Sequence, residues 1–248
     1  GLGPETKGET NVEVGRQLLE TWEAAKRGEG KAFGLETPWE GLTELLCGLE
    51  PGITILAGRP SMGKTTIEDE IACHAASNGV RVGRFTLDGS RKELLARAIC
   101  RKAGVSLPKL KSGYAREDQL AKAREALEVI GKYPMWINDT ERDIRAICAI
   151  AREWRLRHGV ELITVDFAQL VGASDMGKAQ WDANTRVAYV SRLLKALGLE
   201  FRYGLLLLSQ LRRLNPTEKN PNKPPTLEDL RDSGSLEQDC HKAMFVSQ

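Results

Sequence analysis

Residues 52–66, which read GITILAGRPSMGKTT, constrain the fold of this chain more than any other segment. Residues 53–57 form an aliphatic, partly β-branched run of strand length. The loop that follows fits the pattern G-x-x-x-x-G-K-[ST] at every fixed position. Glycines in such a loop let successive backbone N–H groups face inward, and the next helix presents its N-terminal amides to the same anion. The segment therefore predicts a phosphate-binding loop between a strand and a helix.

Two side chains of this loop have specific expected roles. We expect Lys64 to reach the β- and γ-phosphates of a nucleotide and the Thr65 hydroxyl to bind Mg²⁺. A chance glycine-rich turn is the alternative, but the strand before the loop and the helix-compatible run after it count against that interpretation. The predicted nucleotide-binding residues are Gly58, Arg59, Pro60, Ser61, Met62, Gly63, Lys64, Thr65 and Thr66.

Length and composition favour one large domain in a reducing compartment. The chain has 248 residues, of which 41% are hydrophobic, and a net charge of +2 that neither requires nor excludes nucleic acid. Its five cysteines form no C-x-x-C pair, which argues against a zinc site or a disulfide framework. The longest purely aliphatic run, residues 205–208, is far too short to span a bilayer. We therefore expect a soluble, cytoplasmic protein with no membrane partner.

Helical and strand patterns alternate along most of the chain. An amphipathic helix is expected first, at residues 12–26, and its apolar face must be covered by this chain or by a neighbouring one. Alternating strands and helices indicate an α/β fold with a mostly parallel sheet. We predict strands at residues 53–57, 80–87, 134–137, 160–167 and 203–208, and helices at 66–77, 92–103, 116–130, 185–197 and from an Asn138–Asp139–Thr140 cap to 158.

Polar side chains follow three of the predicted strands. Asp88 follows the second strand, Asp166 lies near the end of VELITVDF, and Gln210 comes just after the strand at residues 203–208. Ligands of open α/β sheets bind at the carboxyl ends of the strands, so we expect these side chains near the phosphate loop. Asp166 is then placed to bind the water shell of Mg²⁺ opposite Thr65. Considered alone, an aspartate at a strand end is as often a turn or cap residue.

With these residues in place, the chain resembles the motor domain of the DnaB-type replicative helicases, which are hexameric ring ATPases with a RecA-like core. The resemblance covers nearly the whole sequence from about residue 34. The run R-[DE]-S-G-S-[IL]-E-Q-D at residues 231–239 is far more specific than any phosphate-loop match. The matching segments, in the family's order, are RPSMGKT at 59–65, PMWINDT at 134–140, VDFAQL at 165–170, SRLLKAL at 191–197, SQL at 209–211 and DLRDSGSLEQD at 229–239.

The resemblance implies an enzyme that hydrolyses ATP with Mg²⁺ to translocate on single-stranded DNA and unwind duplex. It implies a homo-hexamer that assembles through a linker helix, with a primase or a helicase loader as further partners. Residues 1–33 would be a tail and that linker helix, and residues 34–248 the RecA-like motor domain. The implied catalytic residues are Lys64, Asp88, Asp166 and Gln210, with Gln210 as γ-phosphate sensor; the metal residues are Thr65 and Asp166; the DNA-binding residues are Arg231, Asp232, Ser233, Gly234 and Lys178.

The sequence departs from the family pattern at one catalytic position. The family usually has a glutamate after the second strand to polarise the attacking water, and this chain has Asp88, which is one methylene shorter. We also expect the family's amino-terminal domain, and the final strands that carry its arginine finger, to be missing from this chain. Two alternatives therefore stay open: a RecA-like recombinase-type ATPase, and a non-motor, helicase-like nucleotide-binding module that loads or inhibits a partner helicase.

Overall fold

A computed structural model describes residues 10–27, 29, 34–173, 182–211, 224–230 and 234–247. Within these residues one sheet of six strands has the order β3-β2-β4-β5-β1-β6, and every neighbouring pair is parallel. The α/β class and the parallel sheet are therefore confirmed. The strands are β1 (Gly52–Gly58), β2 (Val82–Thr86), β3 (Met135–Asn138), β4 (Leu162–Asp166), β5 (Gly204–Gln210) and β6 (Lys242–Val246).

Helices flank both faces of this sheet. The central strands are consequently buried on both sides, which explains why they read as continuous apolar runs without alternation. Ile53 and Ile55 face a layer that includes Ile147 and Leu194, and Leu56 faces the opposite layer. The α-helices in the described residues are α1 (Asn11–Lys26), α2 (Glu40–Leu46), α3 (Lys64–Ser77), α4 (Arg91–Ala103), α5 (Leu107–Lys111), α6 (Glu117–Ile130), α7 (Ile144–His158), α8 (Ala183–Phe201) and α9 (Gly234–Asp239).

The predicted start of α7 is wrong. The Asn138 side-chain oxygen accepts hydrogen bonds from the backbone N–H groups of Thr140 and Glu141, so it closes a turn after β3. The helix starts only at Ile144, and its cap is Asp143, whose carboxylate accepts from two backbone N–H groups of the first turn. Both positions offered an Asn or Asp suited to capping. The short helices α5 and α9 were not predicted.

Helix α1 carries an uncovered apolar face. A capping box between Thr10 and Glu13 starts the helix, and within the described part of the chain none of its residues is buried. Leu18 and Trp22 are about half exposed, with Leu19 beside them. The described residues of this chain therefore leave that face open. No helix in the described part of the chain combines the length and apolar character that a membrane crossing requires.

Candidate nucleotide and metal site

The phosphate loop connects the buried end of β1 to the first residue of α3, as predicted. Gly63 has a φ of 85°, in the left-handed region that favours glycine, and it directly precedes the helix. Among the described residues no side chain caps this helix N-terminus, whereas α4, α7 and α8 are capped by Ser90, Asp143 and Asp182. The loop geometry and this uncapped helix end present backbone N–H groups at one place, which suits an anionic ligand.

The ammonium group of Lys64 lies against the loop itself. Its Nζ donates to the backbone carbonyl oxygens of Gly58 at 2.9 Å and of Arg59 at 3.0 Å, and only 8% of the residue is exposed. Burial lowers the pKa of Lys64, and the negative charges of Asp166 and Asp88 oppose that shift. Lys64 is therefore a cation held at the loop between backbone oxygens and two carboxylates.

Thr65 and Asp166, predicted from separate motifs, are in direct contact. The Thr65 Oγ1 donates to the Asp166 Oδ2 at 2.8 Å, although the two residues are 101 positions apart. Burial raises the pKa of Asp166, and the hydrogen bond from Thr65 is the largest opposing influence. The structure thus brings two oxygen ligands of the kind that Mg²⁺ prefers to the edge of the phosphate loop.

The donor set fits magnesium bound together with a nucleotide. In the described residues, no group of three or more His, Cys, Asp or Glu side chains is arranged to hold a metal ion. Mg²⁺ in nucleotide sites is commonly held by one or two protein oxygens, with waters and substrate phosphates as the other ligands. A hydroxyl and a carboxylate beside a phosphate loop match that pattern.

Gln210 lies between the phosphate loop and Asp166. Strand β5 separates β1 from β4 in the sheet, and Gln210 at its end pairs in register with Gly58. The backbone N–H of Leu211 then donates to the Gly58 carbonyl oxygen at 3.3 Å. A side chain at this position is suitably placed to respond to a phosphate at the loop.

Sequence reasoning missed the role of Gln169 at this edge. Its Nε2 donates to the Ser209 Oγ at 3.0 Å and to the Gln210 carbonyl oxygen at 3.4 Å, and its Oε1 accepts from the Gln210 N–H at 3.3 Å. Gln169 therefore holds the end of β5 in place. The only signal in the sequence is a polar side chain three residues after Asp166.

Asp88 reaches the same edge but is exposed to solvent. The strand that precedes it is fixed beside β4, since the Leu87 N–H donates to the Asp166 carbonyl oxygen at 2.7 Å. The charge of Asp88 acts on both Lys64 and Asp166. The four predicted catalytic residues therefore converge at the carboxyl ends of β1, β2, β4 and β5.

The predicted DNA-binding residues fall mainly outside the described residues. Lys178, Arg231, Asp232 and Ser233 are among those not described, and Gly234 is the first residue of α9. Immediately before them in the chain, the buried Leu230 forms an antiparallel bridge with the buried Leu211. The predicted DNA segment therefore follows directly from a residue that is paired beside Gln210.

Comparison with known proteins gives one consistent result. The family described as the DnaB-like helicase C terminal domain matches residues 34–248. The replicative DNA helicase DnaB of Geobacillus stearothermophilus is 30% identical over 236 residues, covering 93% of this chain and 50% of the relative. A probable plasmid replicative DNA helicase of Chlamydia trachomatis is 33% identical over 195 residues, covering 78% of this chain and 42% of the relative. The chain thus spans about half the length of these curated relatives.

Solved structures give the same assignment. One of them, a helicase ATPase domain, superimposes with a TM-score of 0.83 at 26% identity, covering 96% of this chain and 84% of that one. A DnaB-like replicative helicase, solved in a study of its interactions with primase, gives a TM-score of 0.80 at 27% identity and covers 98% of this chain and 57% of that one. The RecA-like resemblance is confirmed, and the chain belongs to the DnaB-like helicase C terminal domain family.

Proposed function

We propose that this chain is the ATP-hydrolysing motor domain of a replicative DNA helicase. The observation that carries the proposal is the contact between the Thr65 hydroxyl and the Asp166 carboxylate beside Lys64. A phosphate-loop threonine and a strand-end aspartate are the two protein groups that hold Mg²⁺ in enzymes of this class. Family membership over residues 34–248 supports the same activity.

Each residue of the site then has a role in phosphoryl transfer. Lys64 and the backbone N–H groups of the loop would bind the phosphates of ATP. Thr65 and Asp166 would hold Mg²⁺, which, when bound, neutralises charge on the phosphoryl group being transferred. Asp88 would orient the attacking water, and Gln210 would contact the γ-phosphate from its position between β1 and β4.

The exposed face of α1 supports a ring assembly. We propose that residues 1–33 are a tail and linker helix and that the apolar side chains of α1 dock on the next subunit of a homo-hexamer. Primase is a candidate partner because one structural relative was studied with it. A helicase loader is a further proposed partner.

The proposed DNA contacts lie one step from the nucleotide. Arg231 to Gly234, with Lys178, would contact phosphates of single-stranded DNA without reading its bases. The bridge between Leu211 and Leu230 supports this arrangement, because it joins the residue after Gln210 to the residue before Arg231. A change at the γ-phosphate thus has a short path to the DNA segment.

The test is ATP hydrolysis by the 248-residue chain with and without single-stranded DNA. We expect turnover that DNA stimulates and that Lys64→Ala abolishes, because this variant removes the phosphate-binding cation. Arg231→Ala should weaken binding to single-stranded DNA and leave nucleotide affinity intact. Equal loss of both affinities would show that Arg231 is structural.

One observation favours a second candidate, a non-motor module that binds nucleotide and loads or inhibits a partner helicase. Asp88 is exposed and one methylene shorter than the usual glutamate, and a displacement of about 1 Å at a reacting group can cost on the order of 100-fold in rate. Absence of turnover in the wild type, with no gain on Asp88→Glu, would select this candidate over the motor. The recombinase-type alternative shares the core but is not favoured by the family match.

A further inference from the structure

A cluster of buried charges lies directly beneath the metal-binding pair. Arg84, in the middle of β2, forms a two-pronged ion pair with Glu68 of α3, with Nε to Oε1 at 3.1 Å and Nη2 to Oε2 at 2.6 Å. Its Nη1 also donates to the Asp69 carboxylate. The side chains of all three residues are at most 3% exposed. Arginine and carboxylate thus meet in the core, where water cannot replace either partner.

Glu68 also contacts a third structural element. The Thr164 Oγ1, on β4, donates to the Glu68 Oε1 at 2.5 Å. A single carboxylate therefore bonds to β2 through Arg84 and to β4 through Thr164, while its own backbone belongs to α3. These three elements are the ones that carry Asp88, Asp166 and Thr65.

The spacing places the cluster one layer below the reacting groups. Glu68 follows Thr65 by three residues, so both lie on the same face of α3. Thr164 precedes Asp166 by two residues and therefore shares its face of the sheet, at a distance of about 7 Å along the strand. Arg84 pairs in register with Thr164, as Thr86 does with Asp166.

Stability alone does not account for charges in this place. A buried ion pair recovers little more than the cost of removing its charges from water, and apolar replacements of both partners are often no less stable. What such a pair does provide is directional bonding, since a two-pronged arginine–carboxylate contact accepts only a narrow range of geometries. The cluster thus restricts how α3 can move against β2 and β4.

We propose that Glu68 and Arg84 are positioning residues for phosphoryl transfer, which set the separation of the Thr65 hydroxyl and the Asp166 carboxylate. This inference rests on the proposed ATP hydrolysis. It predicts that disturbing the pair changes the rate of turnover and the Mg²⁺ requirement. Nucleotide affinity should change little, since neither side chain belongs to the phosphate loop.

The test compares Glu68→Gln, Arg84→Met, their double variant and a matched control, all in the 248-residue chain. The control is Arg101→Gln, which removes another ion pair to Asp69 but belongs to α4 rather than to the contacts that join α3 to β2 and β4. Each single variant leaves one buried charge unmatched. The double variant removes one charge of each sign, so thermal stability should recover to near that of wild type.

We expect kcat to fall about 10- to 100-fold in Glu68→Gln and in the double variant, with the Mg²⁺ concentration for half-maximal turnover raised and KM for ATP changed less than about threefold. Arg101→Gln should keep kcat within about twofold. Recovery of kcat together with stability in the double variant would overturn the inference, as would equal losses in Glu68→Gln and Arg101→Gln.

Failure of the proposed function would be seen separately, as wild-type chain that does not hydrolyse ATP. The inference is then judged from binding of a fluorescent ATP analogue during Mg²⁺ titration. Glu68→Gln should require more Mg²⁺ than wild type and Arg101→Gln should not. Identical titrations for all three proteins would overturn the positioning role.

Discussion

Replacing Thr65 by valine tests the metal site most directly. Valine has nearly the same shape as threonine, but it lacks the hydroxyl that donates to Asp166 at 2.8 Å. Only 6% of Asp166 is exposed, so water has little access to replace the lost donor. A hydrogen bond to a charged acceptor contributes about 1.5–3 kcal/mol. Without nucleotide, Thr65→Val should therefore lower the free energy of unfolding by about that amount.

The same substitution removes one of the two protein oxygens proposed to hold Mg²⁺. If the bound metal gains a similar amount from the hydroxyl, its affinity for the nucleotide complex falls about 10- to 100-fold. The assay is binding of a fluorescent ATP analogue during titration with Mg²⁺. Thr65→Ser keeps the hydroxyl and serves as the control, which should behave like wild type. If Thr65→Val keeps the Mg²⁺-dependent gain in ATP affinity, the contact with Asp166 is not the metal site.

The pH dependence of this effect has a definite sign. Burial raises the pKa of Asp166 and the Thr65 hydroxyl opposes that shift, so its removal should raise the pKa further. Only the deprotonated carboxylate binds Mg²⁺. The pH at which Mg²⁺ affinity develops should therefore move upward in Thr65→Val relative to Thr65→Ser. A downward or absent shift, measured by repeating the titration across the acidic range, would contradict this electrostatic account.

Two further predictions concern packing and assembly. A Cβ at Gly83 would lie 2.5 Å from the Trp154 ring, so Gly83→Ala should cost about 1–3 kcal/mol in chemical denaturation, whereas Gly89→Ala, with no described neighbour closer than 3.6 Å, should cost little. Trp22 is 54% exposed on α1, so Trp22→Ser should lower the assembled mass measured by light scattering and leave the subunit's Tm unchanged. A lower Tm with unchanged assembly would place Trp22 in this chain's own core.

Local patterns were enough to predict the nucleotide loop and most strands. The strand before the loop, the Gly63 turn and the helix that starts at Lys64 depend on residues adjacent in sequence. Strands that are buried on both faces read as uninterrupted apolar segments, so their approximate positions were also clear. The sequence did not specify the strand order, which depends on packing between distant segments.

The start of α7 shows where local chemistry is ambiguous. The segment between β3 and α7 offers Asn138, Asp139 and Asp143, each of which can cap a helix. Asn138 closes a turn, while Asp139 accepts from the Arg91 N–H at the start of α4. That second contact joins residues 48 positions apart, so capping propensity alone could not have identified Asp143.

The charge cluster shows the same limit more strongly. Glu68 and Arg84 are 16 residues apart, and Glu68 and Thr164 are 96 apart. The one signal was an arginine inside a strand, where an unpaired buried charge would be too costly. That signal requires a buried partner of opposite charge without identifying it. The partner emerges only when α3 packs across β2 and β4.

The Gly58 carbonyl oxygen joins the nucleotide loop to the predicted DNA segment. It accepts from the Lys64 ammonium at 2.9 Å and from the Leu211 N–H at 3.3 Å, and Leu211 bridges to Leu230. Under the proposed function Lys64 also serves the phosphates, so nucleotide binding and the pairing of Leu211 depend on the same acceptor. The Gly58 position itself is tight, since a Cβ there would lie 3.2 Å from the Lys64 Cγ and from the Val246 carbonyl oxygen. A larger residue would therefore disturb the lysine and β6 at once, which explains why the loop begins with glycine.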